Sequence, residues 1–355
     1  MGEVMRIRCP LCARSLTWET ARVVVIGDDG RTSPYVPGQS RDPADRRAEE
    51  ERLARVCAGG GLGEHFLPYG YGHYGPPVVI GVVGQGSAGK THLLAAMVRS
   101  FMHAGRTGAL PLRVDPLDLR IHRRFEQRAI VPFLEERRVL PITPATATIE
   151  LTDALRVYNP RTRGYHAVVF FDVGGERLEA DRDNHFLRAL NALLFVVDGE
   201  LLLGRRGARG GDRVFGTVIS RLTSLHGYTR AGHLALPAAL VVAKADRLRF
   251  LDEPDVNRWF AHPDSEQFDL DTVEDESRDV HRLLSLRGPG FLGPASVFLR
   301  SSLHLASAAG ASPMEAGERF RQRGFGPRRT VKPLLWLLAQ RQVLGPAGGG
   351  QRGTR

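Results

Sequence analysis

Lysine, cysteine and long apolar runs are all scarce in this chain of 355 residues. Three of its 49 basic residues are lysines, so arginine carries almost all of the positive charge behind the formal net charge of +10. This ratio is typical of a coding bias, and no Lys/Arg block interleaved with aromatic residues indicates nucleic-acid binding. Three cysteines are too few for a dense disulfide framework.

The apolar runs are too short for a membrane span. The longest, Leu234–Ala243, has ten residues, whereas a spanning helix needs about 20. Residues 1–10 lack the apolar core of a secretory signal, and Arg6 stands where N-myristoylation of Gly2 requires Ser or Thr. Hydrophobic residues make up 42% and charged residues 25%, which is typical of a globular protein. We therefore expect a folded cytoplasmic protein.

The hydrophobic pattern changes at Pro76-Pro77. Residues 1–76 are irregular and predict a small cysteine-containing module, with a Gly-, Tyr- and Pro-rich linker at Tyr69–Pro77. In residues 77–344, apolar strands alternate with helices, which predicts an α/β domain with a mostly parallel sheet covered on both faces. Residues 345–355 predict a disordered tail. The predicted strands are Val78–Val83, Ile149–Tyr158, Tyr165–Phe171, Ala192–Val197, Ala238–Ala243 and Ala295–Leu299, and the predicted helices are Thr91–Ala104, Val214–Leu225, Val280–Leu286 and an amphipathic Val331–Leu344.

A glycine-rich loop follows the first strand of this domain. It consists of Gly84, Gln85, Gly86, Ser87, Ala88, Gly89, Lys90 and Thr91 and matches the pattern G-x-x-x-x-G-K-[ST]. Glycines let the backbone approach phosphate, and the N–H groups of the loop and of the next helix then face the anion. Lys90 would reach the β- and γ-phosphates, and the Thr91 hydroxyl would ligate Mg²⁺.

Two later motifs predict the metal and the base. Asp172 ends a strand and would hold Mg²⁺, and Gly175 of the following Gly-Gly-Glu would sense a γ-phosphate. After another strand, the carboxylate of Asp246 would accept from N1 and N2 of guanine, a donor pair that adenine lacks, and the Lys244 stem would lie along the base. Ser301 and Ser302, read as the end of the last strand, would offer a backbone N–H to guanine O6.

The order of these motifs resembles the Ras-like, translation-factor-related class of P-loop GTPases. The hairpin that Ile149–Tyr158 and Tyr165–Phe171 predict agrees, because this class has one antiparallel strand there. More narrowly, the chain resembles the second GTPase of the bacterial double-GTPase family, whose members are encoded in pairs within conflict or signalling systems. Cys-Pro-x-Cys at residues 9–12, the insertion after the first helix and Pro-Leu-Leu-Trp-Leu-Leu at 333–338 point to it.

The resemblance implies a Ras-like three-layer sandwich and a GTP-binding switch that hydrolyses GTP with Mg²⁺ and answers to a protein partner. Two positions depart from the usual pattern. Ala243 replaces an Asn that bridges to the phosphate loop, and Glu176 stands where many relatives have a water-orienting Gln. An anionic Glu176 beside a γ-phosphate should slow intrinsic hydrolysis. A switch threonine is expected at Thr143, Thr146 or Thr148, and a related ATPase or a non-hydrolysing scaffold stays an alternative.

The three cysteines suggest a metal site in the N-terminal module. Cys9 and Cys12 have the spacing with which two thiolates grip one tetrahedral zinc ion, Cys57 would be the third ligand, and His65 is the nearest fourth, with His73 behind it. A second C-x-x-C is missing, so free cytosolic thiols or a degenerate ribbon are the alternative reading.

Overall fold

The computed structural model describes residues 5–27, 30–37, 50–59, 63–142, 150–172, 185–204, 211–261, 267–314 and 317–345. Thirteen strands lie within these ranges, in sheets of two, four and seven strands. The described residues contain no helix that is both long and apolar enough to cross a membrane.

The N-terminal module contains the two smaller sheets. A hairpin pairs β1 (Arg6–Arg8) with β2 (Ser15–Thr17). The four-stranded antiparallel sheet has the order β4-β3-β5-β6, with these bounds: β3 Val23–Ile26, β4 Thr32–Pro34, β5 Leu53–Cys57 and β6 His65–Pro68.

The module packs on the rest of the chain. Tyr71, in the segment predicted as linker, is fully buried beside Trp18, with ring centroids 5.9 Å apart, and its hydroxyl donates to the carbonyl of Arg8. Both rings belong to a hydrophobic cluster that includes Val79 of the large sheet. Aromatic residues of this Gly- and Pro-rich segment therefore supply buried contacts.

The seven-stranded sheet forms the framework of the site. Its strands are β7 (Val78–Val83), β8 (Arg113–Pro116), β9 (Asp153–Asn159), β10 (Gly164–Asp172), β11 (Ala192–Asp198), β12 (Leu234–Ala243) and β13 (Phe298–Leu305), in the order β13-β12-β11-β7-β10-β9-β8. Among them β9 alone runs antiparallel to its neighbours β8 and β10. The mostly parallel α/β fold with one antiparallel strand is confirmed.

Helices cover both faces of this sheet. They are α1 (Lys90–Thr107), α2 (Leu119–Phe125), a π-helix that continues it (Glu126–Glu135), α3 (Arg213–His226), α4 (Pro254–Ala261), α5 (Leu270–Arg287), α6 (Gly293–Val297) and α7 (Lys332–Gln340). Alternate residues of β7 point to opposite faces, because successive side chains of a strand do so: Ile80 joins one core cluster and Val79 the other. The last helix is not amphipathic as predicted, since Lys332 to Leu338 are all buried.

The last strand lies further along the chain than predicted. Residues 293–297 form helix α6, and β13 begins at Phe298 and runs to Leu305. The prediction missed the second half of β13 because Ser302 and His304 are polar although buried. Both polar side chains have partners: the Glu276 carboxylate of α5 lies 3.3 Å from His304 Nδ1 and accepts from Leu305 N, and His304 Nε2 lies 2.8 Å from Ser302 Oγ.

Residues 306–314 and 317–329 form an extended hairpin between β13 and α7, which we call the strap. Ser307 and Arg328 exchange backbone hydrogen bonds of 3.0 and 2.8 Å, and Gly326 N donates to Ala309 O. At Gly310, φ is +66° and an added Cβ would lie 2.7 Å from the carbonyl oxygens of Gly324 and Gly326. Glycine is required there because the two arms approach so closely.

Candidate functional site

The glycine-rich loop connects β7 to α1, as predicted. Gly84 lies against β11, where an added Cβ would be 2.5 Å from the carbonyl oxygen of Val196. Gly89 has φ +85° and precedes the first helical residue, Lys90. The buried Lys90 ammonium donates to the carbonyl oxygens of Gly84 (2.9 Å) and Gln85 (2.7 Å). The loop therefore curls around a positive charge, next to the N-terminus of an 18-residue helix.

Thr91 and Asp172 meet beside this loop. Thr91 Oγ1 donates to Asp172 Oδ2 over 2.5 Å, and the Asp172 backbone N–H donates to Thr152 Oγ1. Asp172 Oδ1 is shielded from solvent and has no hydrogen-bond partner among the described residues. Burial raises the pKa of this carboxyl, and the positive charge of Lys90 and the bond from Thr91 oppose that rise. A hydroxyl and a carboxylate oxygen are ligands that Mg²⁺ prefers, so the residues fit such an ion.

Lys244 and Asp246 follow β12, two strands from β7. The Lys244 ammonium donates to Asp198 at the end of β11 (2.8 Å) and to Glu200 (3.3 Å). Its Cε lies 3.9 Å from the position that a Cβ on Gly89 would take. Because β7, β11 and β12 are parallel, their carboxyl ends meet at one edge of the sheet.

A cavity of about 380 Å³ joins the two motifs. Gly86, Ser87, Gly89, Lys90 and Thr91 of the loop line it, and so do Lys244 and Asp246. The rest of its described lining is formed by His92, Val139, Leu140, Pro141, Ile142, Glu200, Ala243, Arg247, Ala308, Ala309, Ala311, Ser312, Pro313 and Phe320. The structure thus brings five residues of the predicted phosphate loop together with Lys244 and Asp246 at a single cavity.

Ser301 and Ser302 are not at this edge, which corrects the sequence prediction. They pair with Ala238 and Ala239 in the middle of β13 and β12, before the carboxyl ends of these strands, and Ser302 is buried. The loop that follows β13 takes the predicted place: Ser307 Oγ donates to Asp246 Oδ1 over 2.6 Å and accepts from Gly310 N. The sequence prediction ended the last strand too early. The residues assigned to the base site therefore lie within β13 and not in the loop after it.

Several predicted residues lie outside the described residues. They are Gly175 and Glu176 and the three switch candidates Thr143, Thr146 and Thr148. Their roles stay predictions.

Sequence reasoning missed residues that shape the loop. His92 packs edge-on against Phe133 and Phe320, and its Nε2 accepts from Leu140 N over 2.9 Å. Burial, and secondarily the charge of Lys244, lowers its pKa to about 4. Asp212 caps α3 and accepts from Gln85 N over 3.0 Å. Its place before an apolar helix signals a cap in the sequence, but its contact with the phosphate loop depends on the fold.

Cys9, Cys12, Cys57 and His65 come together in the N-terminal module. Their ligand atoms all lie within 4.8 Å of one another. The Sγ atoms of Cys12 and Cys57 are 3.5 Å apart, and Cys9 Sγ is 3.7 Å from His65 Nδ1. All three cysteines are buried, and burial raises the pKa of the Cys9 and Cys57 thiols. Three sulfurs and one imidazole at this spacing form a set that suits tetrahedral zinc.

Comparison with known proteins gives one family. The family model described as Double-GTPase 2 matches residues 78–283, the part of the chain that contains the phosphate loop, Asp172 and Asp246. No curated protein matches the chain.

Among solved structures, the chain is similar to a bacterial selenocysteine-specific elongation factor, EF-Sec (14% identity, TM-score 0.29), and covers 26% of it with 65% of its own length. It is also similar to the GTPase-like domain of S. cerevisiae Ski7 bound to GDP and inorganic phosphate (12%, 0.34), covering 50% of that domain with 75% of itself. A third is an ADP-ribosylation-factor-like protein/small COPII coat GTPase SAR1 from Encephalitozoon cuniculi in complex with GDP (13%, 0.26, 65% of this chain and 68% of that one). The chain thus spans about a quarter of the first and half of the second.

Proposed function

The chain belongs to the Double-GTPase 2 family, and from this premise we propose that it is a switch protein that binds GTP and hydrolyses it to GDP. One observation supports this most: the loop at residues 84–91 and the carboxylate of Asp246 line the same cavity. A guanine nucleotide needs an anion site for its phosphates and an acceptor for N1 and N2 of its base. Lys90 and the loop amides supply the first, and Asp246 supplies the second.

Selection of guanine over adenine is proposed to depend on Asp246. Its Oδ1 is held by the Ser307 hydroxyl, so the carboxylate is fixed in the cavity before any ligand arrives. Adenine would leave this carboxylate without donors, and an unpaired charged acceptor is costly. An ATPase of related fold is the alternative, and it would not depend on Asp246.

Magnesium is proposed to bind at Thr91 and Asp172. Their oxygens fit the ion, and the solvent-shielded Asp172 Oδ1 offers an acceptor that no described group satisfies. When bound, the ion would neutralise charge on the β- and γ-phosphate oxygens.

The hydrolytic step is proposed to be slow. Lys90 and the loop amides would stabilise charge on the transferring phosphoryl group. Glu176 would accept a hydrogen bond from the attacking water but has no amide N–H to donate, and its negative charge opposes that of the γ-phosphate. A protein partner, either a second GTPase or an effector in a bacterial signalling or conflict system, would stimulate turnover and read the GTP-bound state through Gly175 and the segments around it. A non-hydrolysing scaffold is the alternative.

We also propose that Cys9, Cys12, Cys57 and His65 hold one structural zinc ion. Four protein ligands fill a tetrahedral site and leave no open position for chemistry. The ion would tie β1 and the turn after it to β5 and β6, because Cys57 ends β5 and His65 begins β6.

A GTP hydrolysis assay tests the enzyme proposal. The purified chain should turn over GTP slowly with Mg²⁺, and Lys90→Ala should weaken nucleotide binding about 10- to 100-fold, because charged hydrogen bonds are lost. Glu176→Gln should raise the single-turnover rate by about 10-fold, since it removes a negative charge and supplies a donor. Binding without any hydrolysis, in wild type and in Glu176→Gln alike, would favour the scaffold.

A further inference from the structure

We propose that the strap is part of the nucleotide site and that Phe320 contacts the bound guanine nucleotide. This inference rests on the proposed guanine-nucleotide binding. The strap lies beyond residue 283, where the family match ends.

The first arm of the strap, residues 306–314, is hydrogen-bonded to Asp246 and Arg247 beside the base site. Ser307 donates to Asp246, and the next residue of the chain after Asp246, Arg247, donates through Nη1 to Ser312 Oγ. Ala308, Ala309, Ala311 and Pro313 of the same arm line the cavity. A strap displaced from its position would therefore also lose its hold on the carboxylate that selects the base.

The second arm of the strap, residues 317–329, is hydrogen-bonded to residues 137–139, which precede residues 143–149 in the chain. Val139 N donates to Glu318 O (2.9 Å) and Phe320 N donates to Arg137 O (2.7 Å), which forms an antiparallel bridge between the two segments. Leu140 N in turn donates to His92 Nε2 on α1. The strap thus spans from the base-binding loop to the segment in front of the predicted switch threonines.

Phe320 is the strap residue that we expect to contact the guanine nucleotide. Its ring lines the cavity and packs against His92 and Phe133, with ring centroids 5.6 Å away in each case. Among the described residues that line the cavity, it offers the one phenyl ring, and the lining also includes aliphatic side chains such as those of Val139 and Ile142. Aromatic rings stack on nucleobases or pack edge-on against them and the ribose, and such contacts are lost when the ring is truncated.

Phe325 provides a matched control. It belongs to the same aromatic cluster, 5.6 Å from Phe133 and 5.8 Å from Phe320, and is also half-buried, but it does not line the cavity. Truncating either ring removes a similar amount of packing from the strap. Only truncation of Phe320 removes a surface that faces the nucleotide.

The experiment measures release of fluorescent mant-GDP from the full chain by stopped flow, with unlabelled GDP in excess. Phe320→Ala should speed release by about 10-fold or more, whereas Phe325→Ala should change it by less than about threefold. Thermal unfolding of both variants checks folding, and Phe320→Leu, which keeps most of the volume, replaces Phe320→Ala if the latter does not fold. In Phe320→Trp, excitation of tryptophan should transfer energy to bound mant-GDP above the level given by the native tryptophans.

Three results would overturn the inference. Equal effects of Phe320→Ala and Phe325→Ala would show that the ring acts only through packing. Unchanged release in Phe320→Ala, or no added energy transfer in Phe320→Trp, would place the ring away from the nucleotide. Failure of the wild-type chain to bind mant-GDP would instead contradict the proposed function, and this inference would fail with it.

Discussion

At the scale of single residues, desolvation shifts the pKa values of two half-buried groups of the site, Asp172 and His92. Asp172 is a carboxylate with one unsatisfied oxygen and a raised pKa. His92 is an imidazole kept neutral, so that Nε2 accepts from a backbone N–H. The sequence predicts Asp172 from its place after a strand. It does not predict His92, whose acceptor role depends on a segment almost 50 residues away, Leu140.

Asp172→Asn should stabilise the nucleotide-free protein while abolishing Mg²⁺-dependent nucleotide binding. Because the folded-state pKa of Asp172 is raised, this group favours folding at low pH, and that contribution is lost as pH rises through the folded-state pKa. At neutral pH its ionisation therefore costs stability, and a neutral amide should raise Tm by about 2 °C. Differential scanning calorimetry without nucleotide or metal measures this.

The control for this change is Asp115→Asn. The Asp115 side chain is 55% exposed, and its ion pair with Arg156 is long, at 3.6 Å, so its loss should cost little. It should alter neither Tm nor nucleotide binding. A lower Tm for Asp172→Asn, together with retained dependence of binding on Mg²⁺, would mean that Asp172 is a structural residue.

His92 should make the stability of the nucleotide-free protein depend on acidity. The unfolded chain takes up a proton at this residue as pH falls below 6.5, whereas the folded chain resists until about pH 4. Stability should therefore fall across this window. His92→Gln keeps an acceptor for Leu140 N but does not titrate, so urea unfolding across the same window should show a shallower slope. His103→Gln, at an exposed histidine on the same helix, should leave the slope unchanged; equal slopes for wild type and His92→Gln would contradict the account.

At the scale of elements, hydrophobic pattern predicts the buried strands well and the polar or irregular segments poorly. Val78–Val83 has the predicted bounds because all six residues are buried on both faces of the sheet. The second half of β13 was missed because its buried Ser302 pairs with His304, and His304 pairs with a carboxylate on α5 that nothing local in the sequence reveals. The strap and β8 were missed for a similar reason: their hydrogen bonds join segments far apart in the chain.

The metal cluster gives a prediction for the N-terminal elements. The purified chain should contain one zinc ion, and Cys57→Ser should lose it and unfold the module, because metal binding and folding of such a site are coupled. Mass spectrometry of the metal content and limited proteolysis measure the two effects. His73→Ala should retain zinc, since His73 lies outside the four-residue cluster although the sequence allowed it as a ligand. Sub-stoichiometric zinc in a well-folded wild-type protein would rule the site out.

At the scale of the whole molecule, one edge of the large sheet collects groups from across the chain. Asp172 ends one strand there, and the phosphate loop, Asp246 and Ser307 follow others, which is how an open parallel sheet builds a site. Sequence order and pattern predict this arrangement for the first three, because each motif directly follows a clear apolar strand. Ser307 and Phe320 could not be placed, since the strand before them is not apolar throughout.

The most direct test of the central claim is competition for bound mant-GDP by GDP, ADP and XDP in the wild type and in Asp246→Asn. If the phosphate loop and Asp246 hold one guanine nucleotide, GDP should compete at least about 100-fold better than ADP in the wild type, and Asp246→Asn should shift the preference from GDP to XDP. Equal competition by ADP and GDP, or a preference that Asp246→Asn leaves unchanged, would contradict it.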